Sequence, residues 1–124
     1  MTPNPTMPRV LPTPRKPRPL PMSETQLKKA VIDRAHDLGW KIAHFLPAMM
    51  GDRWYTAVQA DGKGWPDLVL VRNDQLLCIE LKSERGKPTP EQLQWAEWLM
   101  GAGVHWECWS PTTWRDGTIE SRLR

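Results

Sequence analysis

The chain has 124 residues, 40% of them hydrophobic and 25% charged, with eight tryptophans, thirteen prolines and a net charge of +3. That length holds one core of ordinary domain size. No run of 18 apolar residues occurs and the N-terminus lacks the apolar stretch of a secretory signal, which excludes a helical membrane span and leads us to expect a cytoplasmic protein.

The prolines divide the chain. Eight of them fall in residues 1–22, together with Arg9, Arg15, Lys16 and Arg18 and no acid. The remainder carries thirteen Lys and Arg against fourteen Asp and Glu, so the folded part is net −1 and the basic balance belongs to the tail. A proline-rich basic segment buries too little apolar surface to offset its ordering entropy, and we expect extended, polyproline-like disorder over 1–22. Four charges without interleaved aromatics favour a solubilising tail over a specific nucleic-acid arm. The domain is then 23–124.

Ser23 and Gln26 have capping-box spacing, and Gly39 is a stop, which predicts a helix over about 24–38 with Leu27, Ala30, Val31, Ala35 and Leu38 as its apolar stripe. The segment around Ile42, His44 and Leu46 reads as a first strand. The glycine-containing stretch that follows reads as a long loop, in which Trp54 and Tyr55 are candidates for stacking on unpaired bases or for the core. Two strands, apolar on both faces and so expected to be central with helices on both sides, then flank Asn73-Asp74. Thr89, Pro90 and Gln92 open a second capped helix ending near Gly101, and alternation over 104–109 gives a fourth strand. Thr118 begins a short C-terminal helix. Cys78 and Cys108 have no metal-ligand spacing and read as free, packed thiols. A helical crossover favours parallel pairing and a tight hairpin forces antiparallel pairing, so the fold class is α/β with a mixed central sheet flanked by helices.

If Asn73 and Asp74 are the whole turn, Arg72 pairs with Gln75, Val69 with Cys78, and Asp67 with Glu80; Lys82, two residues on, shares their face. Two opposed carboxylates on a central strand pair repel one another. A divalent cation removes that conflict, since Mg²⁺ favours one or two carboxylates completed by water and phosphate oxygens. Lys82 supplies a fixed positive charge suited to holding a water or a phosphate oxygen. For an isolated Glu-x-Lys, a plain ion pair at a strand end is the simpler account.

The set of "GWPD", "IELK" and "TPEQLQWAEWL" over residues 23–124 resembles the PD-(D/E)xK nuclease superfamily, and within it the small stand-alone VRR-NUC domains of phage and bacterial type. The resemblance implies a restriction-endonuclease-like αβββαβ core and an endonuclease that hydrolyses DNA phosphodiester bonds with Mg²⁺ or Mn²⁺. Asp67 and Glu80 would be metal ligands, Leu81 would lend its backbone carbonyl, and Lys82 would position the attacking water. Glu24 matches the family's acid on the first helix, where it either joins the metal shell or is a first-turn acid favoured by the helix dipole. Gln92 matches the family's glutamine after the motif, although its capping role needs no nuclease. The small size favours structure-selective cleavage of branched, flapped or junction DNA, and a homodimer would present two sites to two strands. Lys63, Arg85 and Lys87 flank the motif and are candidate DNA-backbone contacts or plain solvated cations. His44 is open to packing or phosphate contact. The alternatives are a non-catalytic DNA-binding module using the same domain and tail, and an assembly protein using exposed tryptophans.

Overall fold

The computed structural model describes residues 21–45, 48–55 and 59–124. The expected tail, 1–22, lies outside these except for Pro21 and Met22, and Met22 packs against the core. Helix α1 (Glu24–Asp37) starts where the capping box places it: Gln26 N–H donates to Ser23 Oγ at 3.0 Å, and Ser23 N–H to Gln26 Oε1 at 2.9 Å. Its stripe of Leu27, Val31 and Ala35 is fully buried. Past its C-cap, Gly39 takes φ +87°, a left-handed conformation that an L side chain rarely adopts.

Strands β1 (Lys41–His44), β4 (Leu68–Arg72), β5 (Gln75–Leu81) and β6 (His105–Trp109) form one sheet in the order β1-β4-β5-β6, with β5–β6 parallel and the other pairs antiparallel. The mixed sheet and its flanking helices bear out the expected fold class. The hairpin register is the expected one, Arg72 against Gln75 and Val69 against Cys78, with Asn73 at φ +53°, a region that asparagine tolerates. Where a continuous loop was expected, the chain forms a two-stranded ribbon of β2 (Ala48–Met50) and β3 (Arg53–Tyr55), paired Ala48 to Tyr55. Three-residue strands are too short for hydrophobic alternation to reveal them. The side chains of Trp54 and Tyr55 lie outside the described residues, as does the face assigned to Leu46.

One face of the sheet, Leu68, Leu70, Leu77, Ile79, Leu81 and Trp109, packs on α1 and on α4 (Thr118–Leu123), which contributes Ile119 and Leu123. A short helix α3 (Pro111–Arg115) precedes α4. The other face carries α2 (Pro90–Gly101), whose buried residue is Ala96. We expected the hairpin strands to be covered on both faces. In fact α2 covers only part of its side, leaving Val71 42% and Leu76 40% exposed near the turn. Both cysteines are free, Cys78 buried and Cys108 half-buried. Of the tryptophans, Trp40 and Trp109 are buried, while Trp65, Trp95 and Trp98 form an edge-to-face chain with centroid spacings of 5.0 and 5.1 Å.

Candidate active site

The charges meet at the end of the hairpin away from its turn. Extending the observed ladder by one pair beyond Leu68–Ile79 sets Asp67 against Glu80, and Asp67 Oδ2 accepts the Leu81 N–H at 2.8 Å. This bond fixes the Asp67 carboxylate at the strand end. The next N–H, that of Lys82, points the opposite way, to the Trp109 carbonyl at 2.9 Å. A strand residue's N–H and C=O leave on one side, so the Leu81 carbonyl shares the Asp67 side.

Glu80 is the only buried charged residue among those described, 1% exposed. Gln92 Nε2 donates to its Oε1 at 2.9 Å, and Lys82 Nζ stands 3.7 Å from the same oxygen. Its Oε2 is buried without a hydrogen-bond partner. Burial, then the neighbouring Asp67 carboxylate, push the Glu80 carboxyl up to about 9, against a smaller opposing pull from Lys82. A buried polar atom left unpaired costs about 1–3 kcal/mol, which is tolerated where a ligand will occupy it. Hard oxygen donors around an orphaned carboxylate oxygen fit a divalent cation. Glu24 lines a cavity with Asp67, but among the described residues no three of His, Cys, Asp and Glu draw close enough to form a ligand cluster.

Gln92 reaches Glu80 because α2 is pinned to the chain that leads into Asp67. Gly64, at φ +90°, lies so close to α2 that a Cβ there would sit 2.5 to 2.8 Å from the Glu91 carbonyl and the Gln92 nitrogen, which only glycine avoids. Trp95 Nε1 donates to the Asp61 carbonyl at 3.0 Å, and Trp65 packs edge-on against Trp95. Gln92 also completes the capping box, its Oε1 accepting the Thr89 N–H at 2.8 Å. One amide thus serves both the helix start and the buried carboxylate.

Of the cations expected to touch DNA, Lys63 pairs with Glu91 at 3.4 Å, so part of its charge is matched within the protein. Arg85 and Lys87 are exposed on the turn just after Lys82, at the same end of the sheet as the carboxylates. His44 is exposed at the end of β1, one strand over from Leu68. Lys28 and Phe45 come together only in the folded chain. They line a cavity of about 300 Å³ with Glu24, Thr25, Asp67 and Leu81, and neither sits in a recognisable motif.

Among the described residues no helix is long and apolar enough to cross a membrane. No curated protein matches the chain. A solved structure titled "VRR_NUC domain" superimposes with a TM-score of 0.58 at 23% identity, covering 80% of this chain and 96% of that one, which supports the fold. The family model described as the VRR-NUC domain matches residues 16–109, through both strands that carry the charges and the helix that carries Gln92. The chain therefore belongs to the VRR-NUC domain family, a family of nuclease domains.

Proposed function

We propose that the protein is a DNA endonuclease that hydrolyses phosphodiester bonds with Mg²⁺ or Mn²⁺, and that it prefers branched, flapped or junction DNA. The observation that carries this reading is the buried Glu80 carboxylate, one oxygen tied to Gln92 and the other unpartnered, beside Asp67. The residues that would hold the ion are Asp67, Glu80 and the Leu81 carbonyl, with Glu24 reaching it through water. A bound divalent ion supplies charge neutralisation at the phosphate and a more acidic water.

The chain's own groups do the rest. Glu80 must give up its proton to act as a ligand, and the hydrogen bond from Gln92 fixes its plane so that Oε2 is the free oxygen. Lys82 Nζ, held by its nearby acid, positions the attacking water or steadies charge developing on a phosphate oxygen. Lys63, Arg85 and Lys87 hold the DNA backbone on either side, which positions the strand without reading sequence. A domain of this size has no separate sequence-reading module, and a homodimer would place two such sites on two strands.

The test uses wild type, Asp67→Ala and Lys82→Ala incubated with plasmid, flap and four-way-junction DNA, with and without Mg²⁺. Cleavage by wild type alone, and only with metal, supports the reading; equal cleavage by all three proteins overturns it. Tight junction binding with no product under any divalent ion would favour the non-catalytic binding module instead.

A further inference from the structure

The cavity of about 300 Å³ beside Asp67 is walled on one side by α1, and the chemistry assigned so far uses only Glu24, Asp67 and Leu81 among its lining residues. Its remaining polar and aromatic groups are Thr25, Lys28 and Phe45. Lys28 lies one helical turn after Glu24, so both fall on the same strip of α1. Among the described residues Lys28 takes part in no ion pair, whereas its neighbour Lys29 is matched by Asp33 at 2.7 Å and Lys82 stands near Glu80. A cation in a cavity with two carboxylates and no bound partner is suited to an anion brought in from outside.

Phe45 is 40% exposed, an uncommon state for the chain's one phenylalanine, and its backbone is fixed. Its N–H donates to the Asp67 carbonyl at 3.2 Å, directly continuing the β1–β4 ladder past His44 and Leu68. The backbone that carries the ring is thus tied to that of a residue that would hold the metal. A volume near 300 Å³ is at the small end of ligand pockets, which favours a small occupant.

We propose that Lys28 and Phe45 form a subsite for one unpaired nucleotide next to the scissile phosphate, Lys28 taking its phosphate and Phe45 stacking on its base. This rests on the nuclease reading and gives the preference for branched or flapped DNA a physical source. A base inside a duplex offers its faces only to neighbouring bases, so an aromatic ring can take it only where the strand is already unpaired. Lys28 offsets the repulsion that Glu24 and Asp67 exert on the incoming phosphate.

The experiment compares wild type, Phe45→Ala, Phe45→Leu, Phe45→Tyr and Lys28→Ala on a flap and on a blunt duplex of matched sequence. Cleavage is read with Mg²⁺, and binding is read with Ca²⁺ from the fluorescence of 2-aminopurine at the unpaired position. Base–aromatic stacking predicts that Phe45→Ala and Phe45→Leu lower the flap-to-duplex cleavage ratio roughly tenfold and relieve the 2-aminopurine quenching, while Phe45→Tyr keeps both. Lys28→Ala should raise KM more than it lowers kcat and reduce the slope of log K against log salt by about 0.7 to 0.9, the contribution of one phosphate contact. An unchanged flap-to-duplex ratio in Phe45→Ala, or a Leu variant equal to wild type, overturns the subsite. If wild type cuts neither substrate, the nuclease reading fails on its own, and quenching by wild type that is lost in Phe45→Ala still upholds the subsite.

Discussion

The two ends of the β4–β5 hairpin use charge in opposite ways. At the turn end, Arg72 has both terminal nitrogens of its guanidinium engaged: Nη1 donates to the Leu38 and Leu123 carbonyls at 3.0 and 2.8 Å, Nη2 donates to the Arg124 carbonyl at 3.1 Å, and the group lies 4.4 Å over the Trp40 ring. One cation thereby closes the C-terminal ends of α1 and α4, where helix dipoles favour positive charge. At the other end, Asp67, Glu80 and Lys82 converge, one oxygen of the Glu80 carboxyl has no partner, and burial pushes that carboxyl up to about 9. A structural charge is recognised by the partners gathered around it. A charge kept for a ligand is recognised by what is still missing around it.

Breaking either end should therefore give different symptoms. The largest effect is expected from Asp67→Asn, which keeps an acceptor for the Leu81 N–H: a loss of cleavage of about 10²- to 10³-fold, comparable to removing a preorganised stabilising group, and a melting temperature no lower than wild type. A parallel loss of cleavage and of melting temperature would mean that the open end is structural too. The pH dependence follows from Glu80. Its carboxyl titrates near 9 in the folded chain and near 4.5 when unfolded, so the folded state binds more protons between these values. Metal-free stability should accordingly fall as pH rises from about 4.5 toward 9, and Glu80→Gln should flatten that decline in pH-dependent denaturation curves. Below about pH 9, Mn²⁺ binding must displace the same proton, so its affinity should climb by up to about tenfold per pH unit, which calorimetry in buffers of different ionisation enthalpy would show.

At the turn end, Arg72→Met should cost about 2–3 kcal/mol of unfolding free energy, from lost charge-assisted hydrogen bonds and unpaired carbonyls, while cleavage per folded molecule stays close to wild type. Urea denaturation with activity measured on the refolded fraction separates the two. Gln92→Ala should lower cleavage by about 10- to 100-fold, as supporting residues around a metal ligand do, and Gln26→Ala should not affect it. The smallest effect is shared: Ser23→Ala and Thr89→Ala should each cost about 1 kcal/mol of stability, the usual value of an N-cap. A much larger loss for Thr89 would show that α2 depends on its cap more than on Gly64 and Trp95.

The capping boxes show how far the sequence reaches. Ser23–Gln26 and Thr89–Gln92 are equivalent local signals, and both form as read. Gln26 ends at the surface and serves only its helix, whereas Gln92 also meets Glu80, twelve residues away. Nothing within three or four residues distinguishes them, because the difference comes from Gly64 and the Trp65–Trp95 contact that lower α2 onto the sheet. Lys28 and Phe45 were illegible for the same reason. Their shared cavity exists only once β1 lies beside β4 and α1 lies across them.

The helix starts, the hairpin register, the mixed sheet and the meeting of Asp67, Glu80 and Lys82 are legible in the amino-acid order, because caps, turns and the two-residue strand period act over short distances. Tertiary structure alone decided which carboxylate is buried, which oxygen is left without a partner, and that α2 covers only one end of its face. Desolvation and hydrogen-bond satisfaction depend on every element packed around a group, and most of those lie far away in the chain.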